Sequence, residues 1–134
     1  MKKIMIAILI LGLLLCGCSR IDETVPGQPR VVTAISALYD SGAVQLRRQY
    51  TDAQKMQAVL TFLRCLDPYG TAAEDPESVG GNAAQITLVY SDESTKTYEL
   101  RGDQYFRVNG GSWQNIRSEQ AQELPLLLGL MESD

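Results

Sequence analysis

The chain has 134 residues, with 12 Lys and Arg, 16 Asp and Glu and no histidine, so its formal net charge is −4 at pH 7. The lack of histidine excludes Ser/His and Cys/His catalytic pairs and imidazole metal ligands. Three cysteines are too few for a structural zinc site, which needs about four Cys/His ligands. The acidic balance argues against nucleic acid or an anionic lipid surface as the main partner, because Lys/Arg clusters bind both.

The first 18 residues have the order of an export signal. Lys2 and Lys3 precede an unbroken apolar run from Ile4 to Leu15, and small residues follow it. An uncleaved membrane span would need about 20 apolar residues, more than this run offers. A buried helix of a cytosolic protein is a further alternative, but two lysines before a leucine- and isoleucine-rich run at the N-terminus argue against it. The pattern predicts a signal peptide over residues 1–17.

The end of this segment, Leu15-Cys16-Gly17-Cys18, resembles the lipobox of bacterial lipoproteins. The resemblance implies that the Cys18 thiol is diacylglycerylated and that a peptidase cuts after Gly17. It also implies a membrane-anchored protein facing the extracytoplasmic side. Cys16 fits the pattern poorly, because the leucine before it is bulky. Removing residues 1–17 takes Lys2 and Lys3 away and moves the formal charge from −4 to −6.

Residues 18–30 are predicted to form the lipidated N-terminus and a flexible tether, since prolines and a glycine stand there among polar residues. Residues 31–134 are predicted to form one domain. It begins with a hairpin of strands 31–39 and 43–50, in which Arg48 interrupts the apolar side and favours an edge position. A helix over 52–66 follows, with Thr51 and Gln54 at capping-box spacing and an apolar stripe that ends before Pro68.

An acidic, glycine-rich surface loop over 71–82 leads to strands 84–90, 95–101 and 104–108 and a short one near 113–116. Alternation predicts an inward face made of Ile86, Leu88, Tyr90, Tyr98, Leu100, Phe106 and Val108. The outward face carries Thr87, Thr97, Glu99, Arg101, Tyr105 and Arg107. Matching these faces needs a three- or five-residue connection, or a bulge, after Tyr90. Asn109-Gly110 is the strongest hairpin signal.

A last helix is expected with Ser118 as its N-cap and a break near 123–125, where Pro125 removes a backbone donor. The leucine-rich stretch 126–131 is expected to close the core. The fold class predicted is α+β: an antiparallel sheet of about five or six strands, one main helix packed on one face, and a C-terminal helix. Residues 31–131 resemble small uncharacterised lipoproteins of Gram-positive bacteria, through Ile86–Tyr90 and the polar turn Ser91–Ser94. That resemblance implies no activity.

Outside the anchor, a cysteine and an acidic cluster are candidates for chemistry. Cys65 is expected to be a half-buried, inert thiol rather than a redox group, because helical spacing sets it off the apolar stripe. Glu74, Asp75 and Glu77 form an acidic cluster that could act as paired carboxylates or bind calcium weakly. Solvation in a surface loop is the favoured interpretation, because nothing in the sequence fixes their geometry.

Tyr105, Arg107 and Trp113 form the candidate binding surface. A three-residue loop over 109–111 places Trp113 opposite Arg107 on the outward face, where aromatic planes and a guanidinium can stack on a sugar or a peptide. A two-residue Asn109-Gly110 turn instead places Trp113 across from Phe106, in the core. Core packing is the favoured interpretation, because apolar aromatic side chains are usually buried.

The sequence therefore predicts a lipid-anchored extracytoplasmic lipoprotein of unknown activity, acting as a non-catalytic binding or accessory module. Its expected contacts are the membrane, through the lipid on Cys18, and an envelope protein or a glycan. Neither a cofactor nor a metal is expected. The alternative is a small carboxylate-dependent hydrolase acting on cell-wall or glycan material. A ligand-capture lipoprotein feeding a transporter is disfavoured, since the chain is short for a two-lobed cleft.

Overall fold

The computed structural model describes residues 30–73, 76 and 81–134. Six strands form one antiparallel sheet in the order β2-β1-β3-β4-β5-β6. The strands are Val32–Asp40 (β1), Gln45–Tyr50 (β2), Ala83–Tyr90 (β3), Thr95–Arg101 (β4), Tyr105–Val108 (β5) and Gln114–Asn115 (β6). The helices are Ala53–Cys65 (α1), Ser118–Ala121 (α2) and Glu123–Leu130 (α3). The α+β fold predicted from the sequence is confirmed, with six strands.

Side-chain alternation gives the sheet one inward face. In register, Ile35 lies opposite Leu88, Ile86 opposite Tyr98, and Leu100 opposite Phe106. All six are buried, as the strand pattern predicts, because facing positions on paired strands point to the same side of a sheet. Of the connections that the sequence allows after β3, namely three residues, five residues or a bulge, the structure has the three-residue one. The Tyr90 N–H donates to the Ser94 carbonyl at 2.9 Å, and three residues lie between them.

Helix α1 lies on this inward face through the predicted stripe. Val59, Phe62 and Leu63 are buried, and Leu66 continues the stripe just past the helix end. The predicted cap is corrected: the N-cap is Asp52, whose Oδ2 accepts a hydrogen bond from the Lys55 N–H at 3.0 Å. A carboxylate at this position satisfies an unpaired helix donor and faces the positive end of the helix dipole.

Arg48 explains how a charge is tolerated on the inward side of β2. Its Nε donates to the carbonyl oxygens of Leu128 at 3.1 Å and Met131 at 2.9 Å, at the C-terminal end of α3. A cation at that end of a helix is favourable because the last carbonyls have no intrahelical donors. Strand β2 lies at one edge of the described sheet, as the interrupting arginine predicts.

The C-terminal helix is broken as predicted, with a turn at Gln122 between α2 and α3. Pro125 falls in the first turn of α3, where its missing N–H would have no intrahelical acceptor. Ser118 is not the cap; Arg117 holds that position and makes no side-chain capping bond. The full burial expected of the leucine stretch is also wrong, since Leu126 is 68% exposed and Leu130 is 85% exposed.

The physical reason is that a single helix offers only one apolar stripe to a core. In α3 that stripe is Leu124 and Leu128, which are 1% and 0% exposed. Leu126 and Leu130 lie on the opposite side of the same helix, because each is two residues from a buried leucine and a helix turns about 100° per residue. The leucine-rich composition therefore exceeds what this position can bury.

The residues after α3 run back to the start of α1. Asp134 donates its N–H to the Gln49 carbonyl at 3.1 Å, and its carboxylate forms an ion pair with Lys55 at 3.1 Å. The same carboxylate accepts hydrogen bonds from the backbone N–H groups of Thr51 and Asp52. These bonds, the Thr51 N–H first, hold the pKa of Asp134 well below its usual range.

Candidate functional site

The sheet face opposite the helices is the candidate functional surface. Helices α1, α2 and α3 contribute their buried side chains to the same apolar cluster as the inward strand residues. None of the outward side chains of the described strands β1 to β6 is buried. This outward face, called the open face below, is mostly polar. It carries Ser36, Leu38, Arg47, Gln49, Gln85, Thr87, Thr97, Glu99, Arg101, Tyr105, Arg107 and Trp113.

Trp113 lies on the open face, so the core position favoured by the sequence is wrong. Phe106 pairs with Gln114 in β5 and β6, and this register sets Trp113 beside Arg107. Asn109 and Gly110 both have positive φ, at 52° and 69°, and form the tight turn that their sequence favours. The N–H of Gly111 then donates to the Val108 carbonyl at 2.9 Å. Gly111 thus adds one residue before pairing resumes, which turns the tryptophan outward.

Arg107 joins the open-face residues into an ordered cluster. Its Nη2 donates to Glu99 Oε2 at 3.0 Å, across the β4–β5 pair. Its Cζ lies 4.3 Å from the centroid of the Trp113 ring, within the range of a cation–π contact. The side chains of Arg107 and Glu99 are only 21% and 26% exposed. The guanidinium group is therefore held by the Glu99 carboxylate on β4 and by the Trp113 ring, which comes directly before β6.

Tyr105 completes the predicted surface at the beginning of β5. It pairs with Arg101 on one side and with Asn115 on the other, and it is half-buried. Because Tyr105 and Arg107 are two residues apart in a strand, their side chains share the open face. The structure thus brings together all three residues that the sequence singled out: Tyr105, Arg107 and Trp113.

Glu99 is the site residue that the sequence analysis placed on the outward face without assigning it a role. Gly102, Asp103 and Gln104 make a three-residue connection between Arg101 and Tyr105, which pair with each other. Counting back from that pair sets Glu99 opposite Arg107, so the hairpin length was the signal that could have found it. Opposite charges at facing positions stabilise a strand pair by roughly 0.2–1 kcal/mol.

A shallow polar depression lies farther across the open face, between β2, β1 and β3. It has a volume of about 230 Å³ and is lined by side chains that include Arg47, Gln49, Gln85 and Thr87. Its amide and hydroxyl groups donate and accept hydrogen bonds, and Arg47 adds a positive charge. The tyrosines whose pKa is raised by burial, Tyr39 and Tyr50, point to the inward face instead. The raised pKa of these two tyrosines is therefore a property of the core and not of the open face.

The remaining predicted residues divide into two groups. Cys18, Glu74, Asp75 and Glu77 lie outside the described residues. Cys65 is described, and it is exposed rather than half-buried, so that prediction is corrected. The reason is its place on α1: the helix turns its Val59, Phe62 and Leu63 side to the sheet and its Cys65 side to solvent.

The described residues offer neither a cluster of metal ligands nor a helix that could span a membrane. In the ranges 30–73 and 81–134, and at residue 76, no three side chains of Asp, Glu, Cys or His come together as metal ligands could. Within the same part of the chain, no helix is both long and apolar enough to cross a bilayer. The comparisons with protein families, with curated proteins and with solved structures gave no match.

Proposed function

We propose that this protein is a lipid-anchored extracytoplasmic lipoprotein that acts as a non-catalytic binding or accessory module. The observation that carries the proposal is the one-sided packing of the helices, which leaves the open face with an ordered aromatic and guanidinium cluster. Arg107 and Trp113 are positioned before any ligand arrives, which lowers the entropy lost on binding. The open face is then the surface that contacts an envelope partner.

The anchor in this proposal is Cys18, on the strength of the Leu15–Cys18 pattern. Stable membrane attachment needs two signals or more, since a single acyl chain holds a protein only marginally. A diacylglyceryl group on Cys18 meets that requirement. The absence of histidine supports a binding role rather than a hydrolytic one, because acid–base chemistry at neutral pH would fall to carboxylates alone.

The anchor is tested by acyl labelling of the full chain in a bacterial host. Cys18→Ala should abolish incorporation of labelled fatty acid and leave the leader uncleaved. Cys16→Ala is the matched control, because it removes a thiol two residues away and should leave labelling and cleavage unchanged. Equal labelling of wild type and Cys18→Ala would refute this attachment site, and loss of label in Cys16→Ala alone would move it to Cys16.

The binding role is tested by cross-linking the anchored protein in its native membrane. Trp113→Ala should reduce capture of the cross-linked partner, while Leu126→Ala should not, because Leu126 is exposed on the helical side of the molecule. Equal capture by both variants would refute the open face as the contact surface. A steady hydrolysis of cell-wall glycan by the purified protein, lost in Glu74→Gln or Glu77→Gln, would refute the non-catalytic assignment.

A further inference from the structure

A cleft of about 390 Å³ opens where strands β5 and β6 meet the start of α2. Its wall includes Tyr69, Gln104, Tyr105, Asn115, Arg117 and Glu119. The volume falls within the range of about 300–1,000 Å³ that small-ligand sites occupy. Tyr105 also belongs to the open-face cluster, so the cleft continues the surface formed by Arg107 and Trp113.

The rim of the cleft is fixed by backbone pairing. The N–H of Tyr69 donates to the Asn115 carbonyl at 3.0 Å, and the N–H of Asn115 donates to the Gly70 carbonyl at 2.7 Å. Asn115 Nδ2 also donates to the Thr71 carbonyl at 3.3 Å. The segment that carries Tyr69 is therefore held along β6, and this fixes one wall of the cleft.

Tyr69 is 66% exposed, and it is the one aromatic residue among the large apolar side chains exposed in the described part of the chain. A tyrosine has an apolar ring with a polar hydroxyl at its end, and such side chains are common at binding surfaces where one end is apolar and the other is in water. The cleft is lined as well by a second tyrosine, Tyr105, and by two amide side chains, Gln104 and Asn115. Its exposed lining is mostly polar, so hydrogen-bonding groups dominate it, and such groups suit the many hydroxyls of a sugar ring.

Charge narrows the class of ligand. Arg117 and Glu119 both line the cleft, and Arg107 is already paired with Glu99 on the adjoining surface. The lining of the cleft therefore carries one charge of each sign and no net formal charge, so it offers little to select an anion or a cation. A ligand without charge avoids the cost of removing an ion from water at a site that returns no ion pair.

The sheet edge argues against an extended peptide. A peptide that adds to a sheet needs unpaired backbone groups along an edge strand. At this end the residues beside β6 already occupy them: Thr71 bridges Gln114, and the N–H of Ala72 donates to the Trp113 carbonyl at 2.9 Å. The surface offers side chains rather than a strand edge.

We infer that the cleft and the adjoining cluster form a binding site for a neutral, linear oligosaccharide. One end of the chain lies in the cleft between Tyr69 and Tyr105, and the chain continues over the open face toward Trp113. The inference rests on the proposed function, because it names the ligand of the same non-catalytic surface. It adds the cleft, the class of ligand and Tyr69, which the sequence analysis did not single out.

The test uses the full chain purified in a detergent that contains no sugar. Titration calorimetry measures binding of neutral tetrasaccharides, one built from β-1,4-linked N-acetylglucosamine and two from glucose with β-1,4 and α-1,4 linkages. Tetragalacturonate serves as the acidic probe and tetra-alanine as the peptide probe. Trp113 is the only tryptophan of the chain, so its fluorescence reports whether the ligand reaches that end of the surface.

At least one neutral tetrasaccharide should bind and change the Trp113 fluorescence. Tyr69→Ala should weaken binding roughly two- to tenfold, the effect of losing one aromatic contact. Leu126→Ala is the control and should bind as the wild type does. An unchanged fluorescence spectrum of each free variant verifies that the fold is kept.

The inference is overturned if no neutral tetrasaccharide binds, if tetragalacturonate or tetra-alanine binds more tightly, or if Tyr69→Ala binds as well as Leu126→Ala. These results are separable from a failure of the proposed function. If membrane cross-linking still depends on Trp113 while no saccharide binds, the binding module stands and the saccharide site does not. If saccharide binds but Cys18→Ala is still labelled, the ligand stands and the assigned anchor does not.

Discussion

Arg107→Ala should destabilise the domain by about 1.5 kcal/mol through the loss of its contacts with Glu99 and Trp113. The first is the ion pair with Glu99 at 3.0 Å, and facing charges on paired strands contribute roughly 0.2–1 kcal/mol. The second is the cation–π contact with Trp113 at 4.3 Å, which contributes about 0.5 kcal/mol when exposed and about 2 kcal/mol when desolvated. Side-chain exposures of 21% and 26% for Arg107 and Glu99 place the sum near the middle of these ranges.

The assay is urea unfolding of a soluble form that begins at residue 19, followed by circular dichroism and by the fluorescence of Trp113. With a slope of about 1.5 kcal/mol/M, a loss of about 1.5 kcal/mol lowers the urea midpoint by about 1 M. Arg47→Ala is the matched control. Arg47 is exposed on the same face, and its exposed position predicts a change within about 0.5 kcal/mol.

A double-mutant cycle separates the two contacts. Glu99→Gln removes the ion pair and leaves the ring contact, so its coupling with Arg107→Ala should be about 0.5–1 kcal/mol. High salt should reduce this coupling only slightly, because screening acts mainly on exposed charges and both side chains are largely buried. The cluster would be refuted as an ordered unit if Arg107→Ala were as mild as Arg47→Ala, or if the coupling energy were zero within error.

Three further results are expected from the same unfolding assay. Asp134→Asn should lower the urea midpoint at neutral pH, and an unchanged midpoint would contradict this prediction. In the wild type the pKa of Asp134 is lowered, chiefly by the Thr51 N–H. The stability that the carboxylate contributes should therefore be complete above about pH 4 and be lost as the pH falls toward the pKa of the folded state. Leu128→Ala, at a position 0% exposed, should cost about 2–5 kcal/mol, against less than about 0.5 kcal/mol for Leu126→Ala, and equal losses would contradict the orientation of α3. Cys65→Ser should change stability by less than about 0.5 kcal/mol, because the thiol is exposed, and a larger loss would indicate burial.

Periodicity was sufficient to predict the fold class but not the helix cap. The apolar stripe of α1 repeats at three- and four-residue steps, so the helix and its inward side follow from local sequence. Thr51 and Asp52 are both good capping residues and are adjacent. The choice is made by a distant residue: the hydroxyl of Thr51 hydrogen-bonds with Asp134 at 3.0 Å, which leaves Asp52 as the cap. No local pattern contains that contact.

The face of Trp113 depended on one residue of loop length. Asn109-Gly110-Gly111 is compatible with either register, and burial statistics for tryptophan favoured the core. A two-residue turn, which would have placed Trp113 in the core, would also have turned Asn115 inward and Ile116 outward. The observed one buries Ile116, which is 2% exposed, and leaves the Asn115 amide to bond with Thr71. The observed register gains free energy by burying an isoleucine and avoids the cost of burying an unpaired amide. Together these two terms outweigh the free energy that burying one tryptophan would have contributed.

The charge arrangement determines how such a surface can select a ligand. The protein is acidic overall, but the lining of the cleft holds one arginine and one glutamate, and Arg107 of the adjoining cluster is paired with Glu99. Long-range attraction is therefore weak, and selectivity falls to short-range stacking and hydrogen bonds, which depend on geometry. Such contacts are effective only when the side chains are already held in place. A six-stranded sheet, supported on its other face by three helices, provides that rigidity. Ligand selection therefore depends on the geometry of the ordered cluster and not on the net charge of the protein.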